Sequence, residues 1–275
     1  MTFKNKKFTI NKYEILSIIL VLCLILTGFS SYVNYSHKKF KDYVVFYVQH
    51  QDDEVLWAGS AIVNAIKERG KNHVFVVLVS TGCGISVFDK YKKYENLTNI
   101  QKSEYRNREF LASLNSLGVI RENIILLPET NTNGNTDFNY MEKIALTFEE
   151  KFKNVTHIAH TYKLDDHLQH LKNGSVIQNL YNVGKIKDAK YFVKPKFADK
   201  ITFNNKIVYK AHSTEDYEKV KNACQQYKIV DELEYREGIG YKSDHKSFDK
   251  LLNNKDVPAI LHTCLLYTSP SPRDL

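Results

Sequence analysis

Tyr43–Val48 is a short, continuous apolar stretch that stops at His50-Gln51-Asp52-Asp53-Glu54. Such a run of β-branched and aromatic residues reads as a strand buried on both faces. A strand that then releases a histidine and three carboxylates is no longer building a core. It presents them at its end, where open α/β sheets bind ligands. The chain repeats the alternation. Leu56–Arg69 reads as a helix ended by Gly70, Val74–Val79 as a strand, and Gln101–Leu117 as a helix stopped by Gly118. Ile124–Leu127 is a short strand closed by Pro128, Met141–Phe152 a helix, and Thr156–Ala159 a strand; another helix opens near His167 or Leu168. Thr130–Asn139, rich in Asn, Thr and Gly, reads as a loop on the ligand side. Tyr191–Val208 reads as strands or a hairpin around Asn204-Asn205, and Thr214–Tyr227 as a helix with Thr214 as N-cap. The pattern predicts an α/β fold with a mostly parallel sheet and helices on both faces.

The net charge of +8 is unevenly placed. Residues 1–41 carry seven lysines and one glutamate, hence +6, which leaves +2 for the remainder. The basic residues flank an apolar segment at residues 15–33, so nucleic-acid binding is not expected. That segment is expected to be an N-terminal transmembrane helix, a single-pass membrane anchor within a first region of residues 1–40. Gly28, Ser30 and Ser31 offer the rival reading of a cleaved signal peptide. With lysines on both sides, orientation rests on a slight preference for an inside N-terminus and an extracytoplasmic catalytic domain. Residues 41–263 form the expected catalytic domain. The tail at 264–275 reads as translated sequencing-library adapter, with the natural C-terminus lost beyond about Thr263. Cys83 and Cys224 lie far apart without a CxxC spacing and read as buried free thiols.

A catalytic zinc site needs about three His or carboxylate ligands and one position for water. His50 and Asp53 share one turn after a strand, and His170 of His167-Leu168-Gln169-His170 is the best third ligand. Asp52 is then free to act as general base. His167, one helical turn from His170, faces the same cavity as acid or oxyanion partner. Each piece also has a plain reading, since Asp53 or Glu54 can simply favour the N-terminus of the next helix. A second His-x-x-His, His157-Ile158-Ala159-His160, places His157 inside a strand as a structural residue and His160 at the strand's end, bordering the site.

These motifs resemble the PIG-L/LmbE family of zinc-dependent de-N-acetylases, over roughly Tyr43–His262. The family's first motif reads Ala-His-Pro-Asp-Asp-Glu, and here Gln51 replaces the proline. Its second reads Asp-x-His-Pro-Asp-His; Asp165, His167 and His170 match, while Leu168 and Gln169 replace the Pro-Asp between the histidines. Arg106 and Glu109, leading into Leu117-Gly118-Val119, match the family's Arg-x-x-Glu helix, and Ser80-Thr81-Gly82 its turn after the second strand. The resemblance implies a Rossmann-like fold, Zn2+ on His50, Asp53 and His170, Asp52 and His167 as catalytic groups, and Arg106 as a substrate contact. It implies an N-acetylated amino-sugar substrate, of N-acetylglucosamine type, in a glycan or glycolipid. The departures bear on the support of the histidines, because the missing aspartate would orient one of them. They motivate a rival reading as an inactive, carbohydrate-binding relative. Gly82-Cys83-Gly84 after the second strand raises a nucleotide-binding oxidoreductase, but its glycine spacing is incomplete and the His/Asp runs are left unexplained.

Overall fold

The computed structural model describes residues 11–127 and 136–263, in two compact units, residues 1–39 and residues 40–275. The first holds helix α1 (Lys12–Lys38). Among the described residues no helix is long and apolar enough to cross a membrane. The apolar run of α1 begins at Ile15 and stops at Leu26, after which the sequence turns small and polar at Thr27, Gly28, Ser30 and Ser31. That run is short of the roughly 20 apolar residues a span requires. The expected transmembrane helix, and the membrane-anchored, extracytoplasmic placement built on it, are thereby corrected.

The second unit runs β1 (Tyr43–Val48), α2 (Asp53–Leu56), α3 (Gly59–Arg69), β2 (Val74–Leu78), α4 (Val87–Lys90), α5 (Asn99–Leu117), β3 (Ile124–Leu126), α6 (Phe138–Phe152), β4 (Val155–His160), α7 (Leu168–Asn182), β5 (Ala189–Val193), β6 (Lys206–Tyr209), α8 (Thr214–Gln226), β7 (Val230–Asp231), β8 (Arg236–Glu237), α9 (Ile239–Leu252) and β9 (Ala259–His262). Seven strands form one sheet in the order β3-β2-β1-β4-β5-β9-β6. The first five are parallel, and β9 is antiparallel to both β5 and β6. This is the expected mostly parallel, Rossmann-like sheet. The chain steps outward from β1 through β2 to β3, then returns to lay β4 on the other side of β1. The crevice at the ends of β1 and β4 is therefore the topological switch point.

Alternation along each strand feeds two cores. Val44, Phe46 and Val48 join Val76, Leu78, Ile158 and Phe192 beneath α3, α5 and α8. Val45 and Tyr47 join Val77, Ala159 and Tyr191 beneath α6 and α7. His157 belongs to the second face, where its Nδ1 pairs with Tyr47 OH at 3.0 Å and its Nε2 with Glu149 at 3.2 Å. It is structural, as expected. Cys83 and Cys224 are buried free thiols.

Local signals account for most boundaries. Thr98 and Gln101 form a reciprocal capping box at the start of α5, and Gly118 ends it at φ 94°. Ser213, not Thr214, caps α8. The single helix expected over Leu56–Arg69 is two, broken at Trp57-Ala58. Of the strands or hairpin expected over Tyr191–Val208, strands form as β5 and β6, but they do not pair as a hairpin, because β9 inserts between them. Of the loop expected at Thr130–Asn139, residues 130–135 lie outside the described residues, and Phe138–Asn139 already belong to α6. The adapter-like tail also lies outside them.

Candidate active site

The site grows from the ends of β1 and β4. After Val48 the chain turns, and the His50 N–H donates to Asp53 Oδ2 at 2.8 Å, which closes the turn before α2. Asp52 sits there at φ 157°, ψ −25°, a sparsely populated backbone region for a residue with a Cβ. From the other side α7 brings His170. Gly174 makes that approach possible, because a Cβ there would lie 2.2 Å from the His160 carbonyl oxygen. Asn173 seals the contact by accepting from the His160 N–H at 3.3 Å.

Three donor atoms then face one another. His50 Nδ1 lies 3.1 Å from His170 Nε2, and both lie 3.4 Å from Asp53 Oδ2. Ligand atoms held tetrahedrally at zinc–nitrogen bond lengths stand about 3.3 Å apart. The triangle therefore fits a small divalent cation.

The outward atoms of the same groups are held by other partners. His50 Nε2–H donates to Gln169 Oε1 at 2.9 Å, and His170 Nδ1–H donates to Asp165 Oδ2 at 3.1 Å. Each bond fixes its ring so that the inward nitrogen, once free of a proton, can offer its lone pair to a cation. Asp53 Oδ1 accepts from the Trp57 indole N–H at 3.0 Å. Gln169 thus occupies an orienting position, and Asp165 supplies the carboxylate partner of His170.

Burial opposes charge throughout. Even so, the His170 and His160 rings hold the Asp53 carboxyl well below the usual carboxylate range. Burial likewise opposes a charged His170, yet Asp53 and Asp165 push it up to about 9. A cluster that keeps a proton between carboxylate and imidazole is one where a cation can replace that proton.

Two overlapping groups also have metal-holding geometry: His50, His167 and His170, and Asp53, His160 and His170. His160 Nε2 lies 3.2 Å from Asp53 Oδ2 but accepts from the Gln49 N–H at 3.2 Å. Burial and the charge of His170 lower it to about 3, and it does not line the cavity. His50, Asp53 and His170 do line it, in a volume of about 360 Å³. That leaves an open position beside them, as a catalytic metal site requires.

Asp52, His167 and Arg106 line the same cavity. Burial raises Asp52 to about 6, and the Arg106 guanidinium acts against that rise. Arg106 is itself buried. Its NH2 group donates to Asp52 Oδ2 at 3.1 Å and to the Gln51 carbonyl. His167 is exposed at the N-cap of α7, its ring centroid 4.9 Å from that of His50 and 4.6 Å from that of His170. Burial and the charge of His170 lower its pKa. Glu54 points away from the cavity, and its Oε1 accepts from Ser113 and Tyr227 at 2.7 Å each. Gln51, in place of the motif's proline, donates to the Thr81 carbonyl and to Asn107 at 2.9 Å each. Gly82 lies against it, where a Cβ would meet Gln51 Oε1 at 2.2 Å. That packing accounts for Gly82 without a phosphate loop. Sequence reasoning left Trp57 and Lys194 unassigned; the spacing of Trp57 four residues after Asp53 on a helical turn was the available signal.

The model of the PIG-L family, described as GlcNAc-PI de-N-acetylase, matches residues 45–181. Curated protein sequences give no significant match. Solved structures share the fold at low identity. A triple-mutant deacetylase of teicoplanin biosynthesis is 13% identical, with a TM-score of 0.54 over 80% of this chain and 97% of that one. The N,N'-diacetylchitobiose deacetylase of Pyrococcus horikoshii is 13% identical, with a TM-score of 0.53 over 86% and 89%. The 4-carboxy-2-hydroxymuconate hydratase of Pseudomonas putida is 15% identical, with a TM-score of 0.53 over 83% and 99%. The fold alone therefore hosts more than one reaction. The motif-bearing half of the chain is what the family model matches, and its residues supply most of the cavity's lining, with Lys194 and Asp244 added from outside it. The chain belongs to the PIG-L family and is a hydrolase of the de-N-acetylase class.

Proposed function

We propose that the protein removes the acetyl group from an N-acetylglucosamine-type sugar of a glycan or glycolipid, with Zn2+ held by His50, Asp53 and His170. The observation that carries this reading is the triangle of inward donor atoms at 3.1–3.4 Å beside an open cavity. Zinc, when bound there, supplies a Lewis acid that makes water more acidic and polarises the amide carbonyl.

The chain's own groups do the rest. Arg106 holds Oδ2 of Asp52 and leaves Oδ1 for a proton. Asp52 takes that proton from the attacking water as the new C–O bond forms at the acetyl carbon. His167 reaches from the cavity wall and donates to the carbonyl oxygen while negative charge builds on it. The C–N bond then breaks, the proton passes to nitrogen, and acetate and the free amine leave. In this reading Arg106 positions the base.

The test is acetate release by the full-length protein from N-acetylglucosamine-containing glycans and glycolipids, before and after chelation. Activity that chelation abolishes and zinc restores supports the proposal. Activity untouched by complete metal removal contradicts it. A protein that binds zinc and these sugars but releases no acetate is instead the inactive relative.

A further inference from the structure

We infer that Lys194 is a positioning residue of the metal centre: it fixes Asp165, and through Asp165 the His170 ring, so that zinc affinity depends on an ammonium group outside the ligand set. This rests on the zinc reading above and not on which amide is cleaved.

Local structure delivers the lysine to the site. It follows β5, whose parallel pairing with β4 sets Phe192 beside His160. Both strands end at one edge of the sheet, where the chain beyond β4 passes through Asp165 into α7. Pro195 favours an extended residue before it, and Lys194 sits at φ −59° and ψ 137°. Its ammonium meets Asp165 Oδ1 at 3.0 Å and Asp166 Oδ1 at 2.7 Å, with the Trp57 ring centroid 5.9 Å away. The Trp57 indole is the donor to Asp53 Oδ1. Lys194 therefore stands against the outward partners of two ligands, Asp165 of His170 and Trp57 of Asp53.

Asp165 is enclosed. Its side chain is 2% exposed and that of Lys194 16%. Its Oδ1 also accepts from the His167 N–H at 2.8 Å, while Oδ2 accepts from His170 Nδ1–H at 3.1 Å. A carboxylate this far from water is costly without a paired charge. The three buried carboxylates of the site are compensated differently. Asp52 has Arg106 at 3.1 Å and Asp165 has Lys194. Among the described residues the ion pairs of Asp53 are with histidines alone. Fixed cations thus satisfy the two carboxylates outside the ligand set and leave Asp53 for the metal. Removing the lysine charge strips Asp165 of an anchor and of its compensation, and the His170 ring loses its setting. Lys196 meets Asp166 at 2.5 Å, but those side chains are 57% and 51% exposed, and such a pair contributes little.

The test is zinc affinity of the full-length protein, read by competition with a chromogenic chelator. Lys194→Met should weaken it by about 10–100-fold, the range for loss of a group that supports a ligand. Lys194→Arg should recover most of that loss, and Lys196→Met should stay within about twofold of the unsubstituted protein. On an Asp165→Asn background, Lys194→Met should add less than about a further twofold, because the two act through one bond. Denaturant unfolding of the zinc-free proteins is measured alongside, and Lys194→Gln carries the same comparison if Lys194→Met does not unfold cooperatively. Unchanged affinity without the lysine charge, an equal loss in Lys196→Met, or a full additional loss on the Asp165→Asn background overturns the inference while zinc binding itself stands. No zinc in the unsubstituted protein rejects the metal reading and this inference with it. Zinc binding that depends on Lys194, without acetate release from any substrate, keeps the inference and rejects the deacetylase reading instead.

Discussion

Two segments of this chain carry the same spacing, His157-Ile158-Ala159-His160 and His167-Leu168-Gln169-His170, and they do different things. The first lies on β4, where residues three apart point to opposite faces. His157 enters the core against Tyr47 and Glu149, while His160 meets Asp53 at the strand's end. The second lies at the start of α7, where residues three apart share a face. His167 and His170 both line the cavity, with ring centroids 4.6 Å apart. A histidine spacing thus acquires chemical meaning only from the periodicity of the element that carries it.

The contrast is sharpened by changes at the cavity first. Asp52→Asn should retain the metal and lower acetate release by about 10²–10⁴-fold, the range expected for loss of a general base. Parallel metal analysis and kinetics check it, and equal loss of metal would reject the role. Gln169→Ala, which frees the outward nitrogen of His50, should weaken zinc affinity by about 10–100-fold, and Gln169→Asp should restore most of it. Competition with a chromogenic chelator reads both. An unchanged affinity in Gln169→Ala would show that His50 does not depend on that bond.

The strand segment should respond differently. His157→Ala removes the partner of buried Tyr47 and Glu149 groups and should cost about 1–3 kcal/mol of stability with zinc content unchanged. Denaturant unfolding measures the cost, and loss of zinc in this variant would erase the distinction between the two segments. The smallest effect concerns His262, buried against Thr161, which burial lowers to about 4. Its folded pKa lies below its unfolded value of about 6.5. The unfolded chain therefore binds the extra proton between these values, and stability rises with pH across that window, by at most about 1.4 kcal/mol per unit. His262→Gln should flatten that part of the profile measured by pH-dependent unfolding.

Much of this was legible in local sequence. The apolar strand before His50, the Gly118 stop of α5 and the helix start near His167 all act within a few residues, and each lies where expected. Long-range pairing was not legible. Nothing local in Ala259–His262 says that it inserts between β5 and β6, or that Trp57-Ala58 splits a helix to turn the indole toward Asp53. The orienting bonds were equally hidden, because the partner of His50 lies 119 residues away at Gln169. Arg106, expected at the substrate, lines the cavity, but its bond to Asp52 was hidden, since a helix periodicity gives its face and not its partner. The membrane expectation failed because it counted residues 15–33 as one apolar stretch, although the strongly apolar part ends at Leu26.

The central claim is that His50, Asp53 and His170 together hold one zinc ion. Zinc stoichiometry of the full-length protein after dialysis, compared with His170→Ala and His157→Ala, tests it most directly. The account predicts one zinc per chain in the unsubstituted protein and in His157→Ala, and none in His170→Ala. Undiminished zinc in His170→Ala, or none in the unsubstituted protein, would contradict it.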